Sequence, residues 1–333
     1  MRSIFAALAF LLLTASAFGQ DISWVRDGKA TDSATSTTSN DRANCIRAFI
    51  GENYFKVLES DTFVVRGEAD FGKDYPLALP AARYEMAPGA CWTTRVKIDQ
   101  TPNKPSGTTG FVLDKGKYKF KNFWAIGRCF DANEDSGIFC WNTSVDSEVT
   151  FEGGYLDGSF NCDWGPVYNW SGGAKSVRMI GVKASSTRTL LSLASSGGLS
   201  QTFYVDNCDF TVNANGSKSI GESSSSNPDT GGVIAAILCR GGQGDIKNSR
   251  VKIVGLSAPY ETKYGPTRIG GILTDRYYSA SQAGKFVVEN VTVEIVPGIS
   301  TVVNDIDVRF GTVGYQSGGS NQDGTYKTFS AVK

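Results

Sequence analysis

The chain is 333 residues long, contains no histidine, and balances 33 Lys plus Arg against 33 Asp plus Glu. Without His, Ser-His-Asp and Cys-His catalysis, His-ligated metals and imidazole pH switching are excluded, so proton transfer falls to Asp, Glu, Lys, Arg, Tyr or a metal-bound water. Zero net charge argues against nucleic acid as a main partner, and a composition rich in Gly, Ser, Thr and aromatics favours strands and turns over helices.

Residues 1–19 read as a secretory signal peptide. Arg2 supplies the positive start and residues 4–13 the apolar run; Ala15-Ser16-Ala17 or Ala17-Phe18-Gly19 supplies the small-residue cleavage site. That run is too short for a comfortable membrane span, although a retained anchor is the alternative. No later run is long and apolar enough to span, so the expected product is exported, extracellular or periplasmic. The remaining length suits one large β domain or two small ones. The 7 Cys are compatible with disulfides outside the cell, but their odd number leaves at least one thiol over. No C-x-x-C occurs; Cys208 and Cys239 lie in apolar segments as buried thiols, while position alone suggests Cys45–Cys91 and Cys129–Cys162 bridges.

Next comes a short helix, capped by Asn40 or Asp41, with Cys45, Ile46, Phe49 and Ile50 on one face and a stop near Gly51. Strand-like runs at 62–65, 77–79, 95–98 and 110–113 follow. From Lys117 one pattern recurs six times: an apolar residue, any residue, Asn or Gly, two residues, then an apolar residue again. The Asn or Gly positions are Asn122, Gly153, Gly181, Asn207, Asn248 and Asn290, and the closing apolar residues are Ala125, Leu156, Ala184, Phe210, Val251 and Val293. Asn and Gly tolerate a left-handed backbone, so each marks a sharp corner between two strands. Corner-to-corner steps of 31, 28, 26, 41 and 42 residues hold three short strands and three turns, the two long steps carrying loops at 213–232 and 255–268. A third apolar run follows each corner, at 137–141, 167–170, 189–193, 233–239, 269–274 and 301–308. Stacked units of this kind predict an all-β parallel β-helix solenoid with a short N-terminal capping helix. An immunoglobulin-type sandwich, the rival, would show more two-residue hairpins. The expected organisation is a signal peptide (1–19), an N-terminal cap with the first coils (20–116), the repeated coils (117–310) and a C-terminal cap or tail (311–333).

The corner segments resemble coils of the pectin-lyase-like superfamily, the right-handed parallel β-helix. The region before them is similar to the lead-in of its pectate-lyase-3 and phage-tailspike-type members, with Asp27-Gly28, Asp32, the helix at 44–50 and the strand Leu79-Pro80-Ala81-Ala82-Arg83-Tyr84. Two departures stand out. A Ser/Thr-rich insert at 33–39 separates the Asp stretch from the helix, and Ala82 replaces the usual Gly. The resemblance covers nearly the whole mature chain. It implies a polysaccharide bound, and in some members cleaved, on the sheet built from the third strand set. Other members are virion spikes or adhesins, and a fold alone does not choose between them.

The galacturonase arrangement implied by that resemblance needs paired carboxylates on adjacent coils. Most of the third set has none; Asp275 ends one run, and Asp305 and Asp307 lie in the last. Gly154-Tyr155-Leu156-Asp157-Gly158 resembles a galacturonase segment upstream of the acids, but the acid motifs themselves are missing. Lyase members use a Lys or Arg base with cation density to hold the uronate. Arg240, Arg268 and Arg276, with Asp275, are the catalytic candidates of that kind; surface Arg at turns is the alternative. For glycan contact the candidates are Trp141, Tyr168, Trp170, Arg188 and Tyr277, because flat rings stack on sugar faces; core filling is the alternative for the aromatics. Asp131-x-Asn133-x-Asp135 places oxygen ligands at alternate positions, as Ca2+ prefers. Ser136 and Asn142 depart from an EF-hand loop, and a plain polar loop is the competing reading. Sequons lie at Asn142, Asn169, Asn215 and Asn290, the last at a corner where its side chain is expected to stack inward or against its neighbours. The sequence thus predicts an exported β-helix that binds, and by β-elimination before hydrolysis cleaves, a polysaccharide or cell-surface glycan. The alternative is a non-enzymatic spike or adhesin, and a homo-oligomer fits either.

Overall fold

The computed structural model describes residues 20–36, 41–71, 77–96, 108–129, 136–141, 146–160, 167–169, 174–186, 189–194, 201–213, 233–240, 242–256, 261–262, 265–266, 268–275, 285–297, 307–308, 313–315 and 323–332. The fold is all-β, with one short α-helix among the described residues and strands that pair almost entirely in parallel. Antiparallel pairs joined across two residues are confined, among the described residues, to the N-terminal Ile22–Arg26 with Lys29–Ala34 and to Glu261–Thr262 with Gly265–Pro266 in the 255–268 loop; the repeated strands themselves pair in parallel. No helix among the described residues is long and apolar enough to cross a membrane.

The strands form three ladders that the chain visits in rotation. The first ladder includes Gly116–Lys121, Ser147–Glu152, Ser176–Ile180, Thr202–Asp206 and Gln243–Lys247. The second includes Trp124–Cys129, Tyr155–Phe160, Lys183–Ser186, Asp209–Asn213 and Arg250–Leu256. Lys285–Pro297 is long enough to serve both. The third holds Ser136–Trp141, Val167–Asn169, Thr189–Ala194, Val233–Arg240 and Arg268–Asp275, followed by Asp307–Val308, in agreement with the third apolar runs of the repeat. Rungs of the first ladder already occur at Thr62–Val65 and Arg83–Met86, ahead of the recognised repeat.

Each of the six corners has a positive φ: 51° at Asn122, 64° at Gly153 and Gly181, 53° at Asn207, 48° at Asn248 and 54° at Asn290. The left-handed residue turns the chain between first and second ladders while its N–H still donates to the neighbouring rung, as from Asn122 to Glu152 O (2.8 Å) and from Gly181 to Asp206 O (2.9 Å). The corner amides also join one another: Asn290 Nδ2 donates to Asn248 Oδ1 and Asn248 Nδ2 to Asp206 Oδ1, both at 2.9 Å. The stacking expected of the Asn290 side chain is therefore present. Two further corners, Gly67 (φ 69°) and Gly89 (φ 79°), precede them. After Gly67 the closing apolar residue Ala69 comes one position early, so the pattern passes over it; Trp92 follows Gly89 at the usual spacing, ahead of the recognised repeat.

Parallel register turns the repeat into columns of identical position. Phe63, Tyr84, Phe120 and Phe151 occupy one position on consecutive rungs of the first ladder. Their rings stack at centroid distances of 5.3, 5.2 and 5.0 Å. All four are buried, and pairs of this kind add ~0.5–1.5 kcal/mol each beyond their buried area. The six closing residues Ala125, Leu156, Ala184, Phe210, Val251 and Val293 align as one buried column of the second ladder, next to Trp92. Small and large residues alternate there, so Trp92 fills the space that Ala69 and Ala125 leave on either side. Gly244 stands opposite Phe203, where a Cβ would lie 1.7 Å from the Phe203 carbonyl oxygen.

Helix α1 (Arg42–Asn53) covers the first rungs, with Ala43, Ile46, Phe49, Ile50 and Asn53 buried. It runs past Gly51, where the sequence expected it to stop, because Asn53 is buried in the interface and its Nδ2 caps Phe49 O at 3.0 Å. Tertiary burial here outweighs the breaker. The antiparallel pair Ile22–Arg26 and Lys29–Ala34 lies against Thr62–Val65 and closes that edge of the first ladder. A buried carboxylate, Asp61, pins this cap. It accepts hydrogen bonds from Trp24 Nε1 (2.9 Å), Arg26 Nε (2.9 Å), Arg26 Nη2 (2.8 Å) and Leu58 N (2.8 Å).

One expectation about the thiols is corrected. Cys45, on α1, carries a free thiol, so no Cys45–Cys91 bridge forms. Position in the chain was a poor guide because a disulfide needs close Cα atoms and converging Cβ vectors. For Cys129–Cys162, Cys162 lies outside the described residues. Cys208 is a buried thiol, as expected; burial pushes it up to about 11, and it donates to Asp206 O at 3.3 Å.

Candidate functional site

The third ladder carries several of the expected residues and separates them. Arg240 ends its strand in register with Asp275, so one cation and one carboxylate sit on neighbouring rungs. Arg268 begins the same strand that Asp275 ends, in register with Val233 and Asp307. Seven residues of extended chain, ~23 Å, lie between those ends. Tyr168 pairs with Cys140 on one side and Ser192 on the other; Trp141, one position beyond Cys140, pairs with Leu113. Trp170, Arg188, Arg276, Tyr277 and the proposed calcium ligands Asp131, Asn133 and Asp135 lie outside the described residues.

The outer face of the first ladder is a lattice of cross-strand ion pairs. Lys119 meets Glu152 at 2.8 Å and Lys121 meets Glu85 at 3.0 Å, both in a groove of about 310 Å³. Lys247 approaches Asp245 and Glu289, and the Arg178 guanidinium covers the Tyr204 ring at 4.9 Å. Each of these four cations has a partner, whereas Arg83, exposed in the same groove as Lys119 and Lys121, has no ion pair among the described residues; such exposed pairs contribute at most ~1 kcal/mol apiece. The face is ordered by its own charges.

The second ladder is different. Its outward positions form two parallel columns. One reads Trp124, Tyr155, Lys183, Asp209, Arg250, Thr292; the other reads Ile126, Asp157, Ser185, Thr211, Lys252, Glu294. Trp124 is 43% exposed, whereas Trp24 and Trp92 are buried, and stands 6.3 Å from Tyr155 between centroids. Its backbone is held at the corner, where its N–H points at Met86 Sδ (3.1 Å). Beside the rings, Ser185 Oγ donates to Asp157 Oδ1 at 2.7 Å and lies 3.1 Å from the Tyr155 hydroxyl, a polar chain across two rungs. Lys183, next along the column from Tyr155, donates its backbone N–H to Gly154 O at 3.1 Å, while its exposed side chain makes no hydrogen bond or ion pair among the described residues. Further along, Glu294 binds both Arg250 (2.9 Å) and Lys252 (3.2 Å) and its carboxyl is held below the usual range by those two hydrogen bonds. From Lys183 onward the column borders a groove of about 530 Å³, lined on its other side by the corner amides Asn207, Asn248 and Asn290.

This array was only partly legible beforehand. Tyr155 and Asp157 were noted as part of a motif, but Trp124 and Lys183 were not. The signal was present all the same: every residue of the first column lies two positions after a corner. Once the corners are known, that column can be listed directly from the sequence.

Comparison with known proteins finds no matching family model, no curated protein and no solved structure with significant similarity.

Proposed function

We propose that this chain is an exported, right-handed parallel β-helix of the pectin-lyase-like kind, and that it binds a polysaccharide on a lateral sheet. The winding is supported by the rotation of the chain through three parallel ladders with a left-handed corner in every turn. The signal-like first 19 residues support export. A single observation carries the binding function: the solvent-exposed Trp124 ring beside Tyr155, flanked by the Asp157–Ser185 hydrogen bond. Rings of this kind stack on the apolar faces of sugars while neighbouring polar groups meet the hydroxyls.

Retardation of the mature protein in gels cast with soluble polysaccharides tests this reading. At least one polymer is expected to retard the protein, with Trp124→Ala weakening the effect about tenfold, the loss of ~1.4 kcal/mol. Retardation that is unchanged in Trp124→Ala contradicts it.

The register of Arg240 with Asp275 favours a second reading, cleavage at that end of the third ladder. An Arg is a candidate for the base that β-elimination requires, and a carboxylate on the adjacent rung is a group that would hold a uronate-neutralising cation. Ultraviolet absorbance from unsaturated sugar ends, lost in Arg240→Ala, would establish this activity; its absence together with retained binding would leave attachment as the function.

A further inference from the structure

We propose that the polysaccharide taken by the second ladder is a neutral one, laid along the long axis of the ladders from the Trp124–Tyr155 platform into the groove beside Lys183, Asp209 and Thr292. The proposal rests on the reading of this face as a glycan platform and adds the ligand's charge class and direction. Direction follows from geometry. The platform and the groove share one column, and that column crosses the strands, advancing one rung at a time. Rungs are ~4.8 Å apart, close to the repeat of an extended sugar chain, so consecutive units meet consecutive rungs.

Charge class follows from the order of residues. An acidic polymer brings a negative group at every unit or every second one and needs a cation to receive each. Here the successive rungs present Asp157 beside Tyr155, Lys183 beside Ser185, then Asp209 beside Thr211. Arg250 and Lys252 come next, but Glu294 already binds both. A uronate chain in this track would pass two carboxylates and find Lys183 as the one cation of these columns with no ion-pair partner among the described residues. Hydroxyl groups have no such difficulty. They donate to Asp157 and Asp209, accept from Lys183, and exchange hydrogen bonds with Thr292 and the exposed corner amides, while the buried Ser185 holds Asp157 in place. The aromatic pair supplies the apolar contact and the mixed polar track supplies the register.

The experiment is a titration of the full mature chain with neutral polymers (glucan, xylan, mannan, galactan) and acidic ones (polygalacturonate, alginate), each at low and high salt. Trp124→Ala, Lys183→Ala and Asp209→Ala are run in parallel; Lys183 and Asp209 are exposed, so neither substitution disturbs the core. The expected result is that a neutral polymer binds with less than about a twofold change between salts. Trp124→Ala should raise its Kd about tenfold, Lys183→Ala and Asp209→Ala several-fold each. Preference for an acidic polymer, with affinity falling steeply with salt and lost in Trp124→Ala, would overturn the neutral assignment and keep the platform. Binding insensitive to Trp124→Ala, or no binding to either class, would remove the platform itself.

Discussion

Asp61 shows how much one side chain can fix. Its carboxylate has no exposed surface and receives four hydrogen bonds from the N-terminal strand, the turn at Leu58 and Arg26. Burial alone would raise its pKa, but the hydrogen bonds from Arg26, Leu58 and Trp24 outweigh burial and hold it below the usual carboxylate range. Asp21, hydrogen-bonded by Ser36 and Arg42, is depressed in the same way. A depressed carboxylate contributes stability that is fully present above its unfolded pKa of ~3.9 and is lost as pH falls through the folded value. The cap should therefore be stable at neutral pH and loosen below about pH 4, with the Trp24 fluorescence reporting it first. Asp61→Asn should destabilise by ~2–3 kcal/mol in chemical denaturation and flatten that acid transition. An unchanged acid transition in Asp61→Asn would show that other carboxylates govern it. At the corners, Asn248 combines a left-handed backbone with two amide hydrogen bonds. Asn248→Val, β-branched at positive φ, should cost ~2 kcal/mol or more, and Asn248→Gly less than ~1 kcal/mol, because glycine accepts the φ and loses only the side-chain bonds.

At the scale of elements, the stacked register decides what a substitution does, because each inward residue touches the same position above and below. Phe120 is buried and stacked between Tyr84 and Phe151, so Phe120→Ala should cost ~3–5 kcal/mol in denaturant unfolding, as large-to-small changes in closed cores do. Gly244→Ala places a methyl group against the Phe203 backbone and should prevent the rungs from closing, seen as poor expression or loss of a cooperative transition. The same regularity explains what the sequence revealed. All six corners and the closing column were legible because a left-handed residue and an inward apolar residue recur at fixed offset. Gly67 was missed because its unit is one residue short, and the helix end was misplaced because a buried Asn53 outweighs Gly51. The Cys45–Cys91 pairing failed for a deeper reason: thiol proximity is a property of three-dimensional packing and leaves no mark on spacing. The aromatic platform lay between these cases. Its position was encoded by the corners, but exposure of Trp124 depends on neighbours that only the folded ladders supply.

At the scale of the molecule, three long faces have three characters. The outer face of the first ladder is closed by its own ion pairs. The third ladder brings Arg240 beside Asp275 and sends Arg268 to the opposite end. The second presents the exposed Trp124 ring beside the half-buried Tyr155, a polar track and a groove along one column. Polysaccharide binding on this second face is the proposed function, and footprinting tests it most directly. The mature protein is oxidised by hydroxyl radicals with and without a retarding polysaccharide, and each aromatic side chain is read by mass spectrometry. Protection of Trp124 and Tyr155 by the polymer is the predicted result; protection confined to Trp141, Tyr168 and Trp170, with Trp124 oxidised as before, would contradict it.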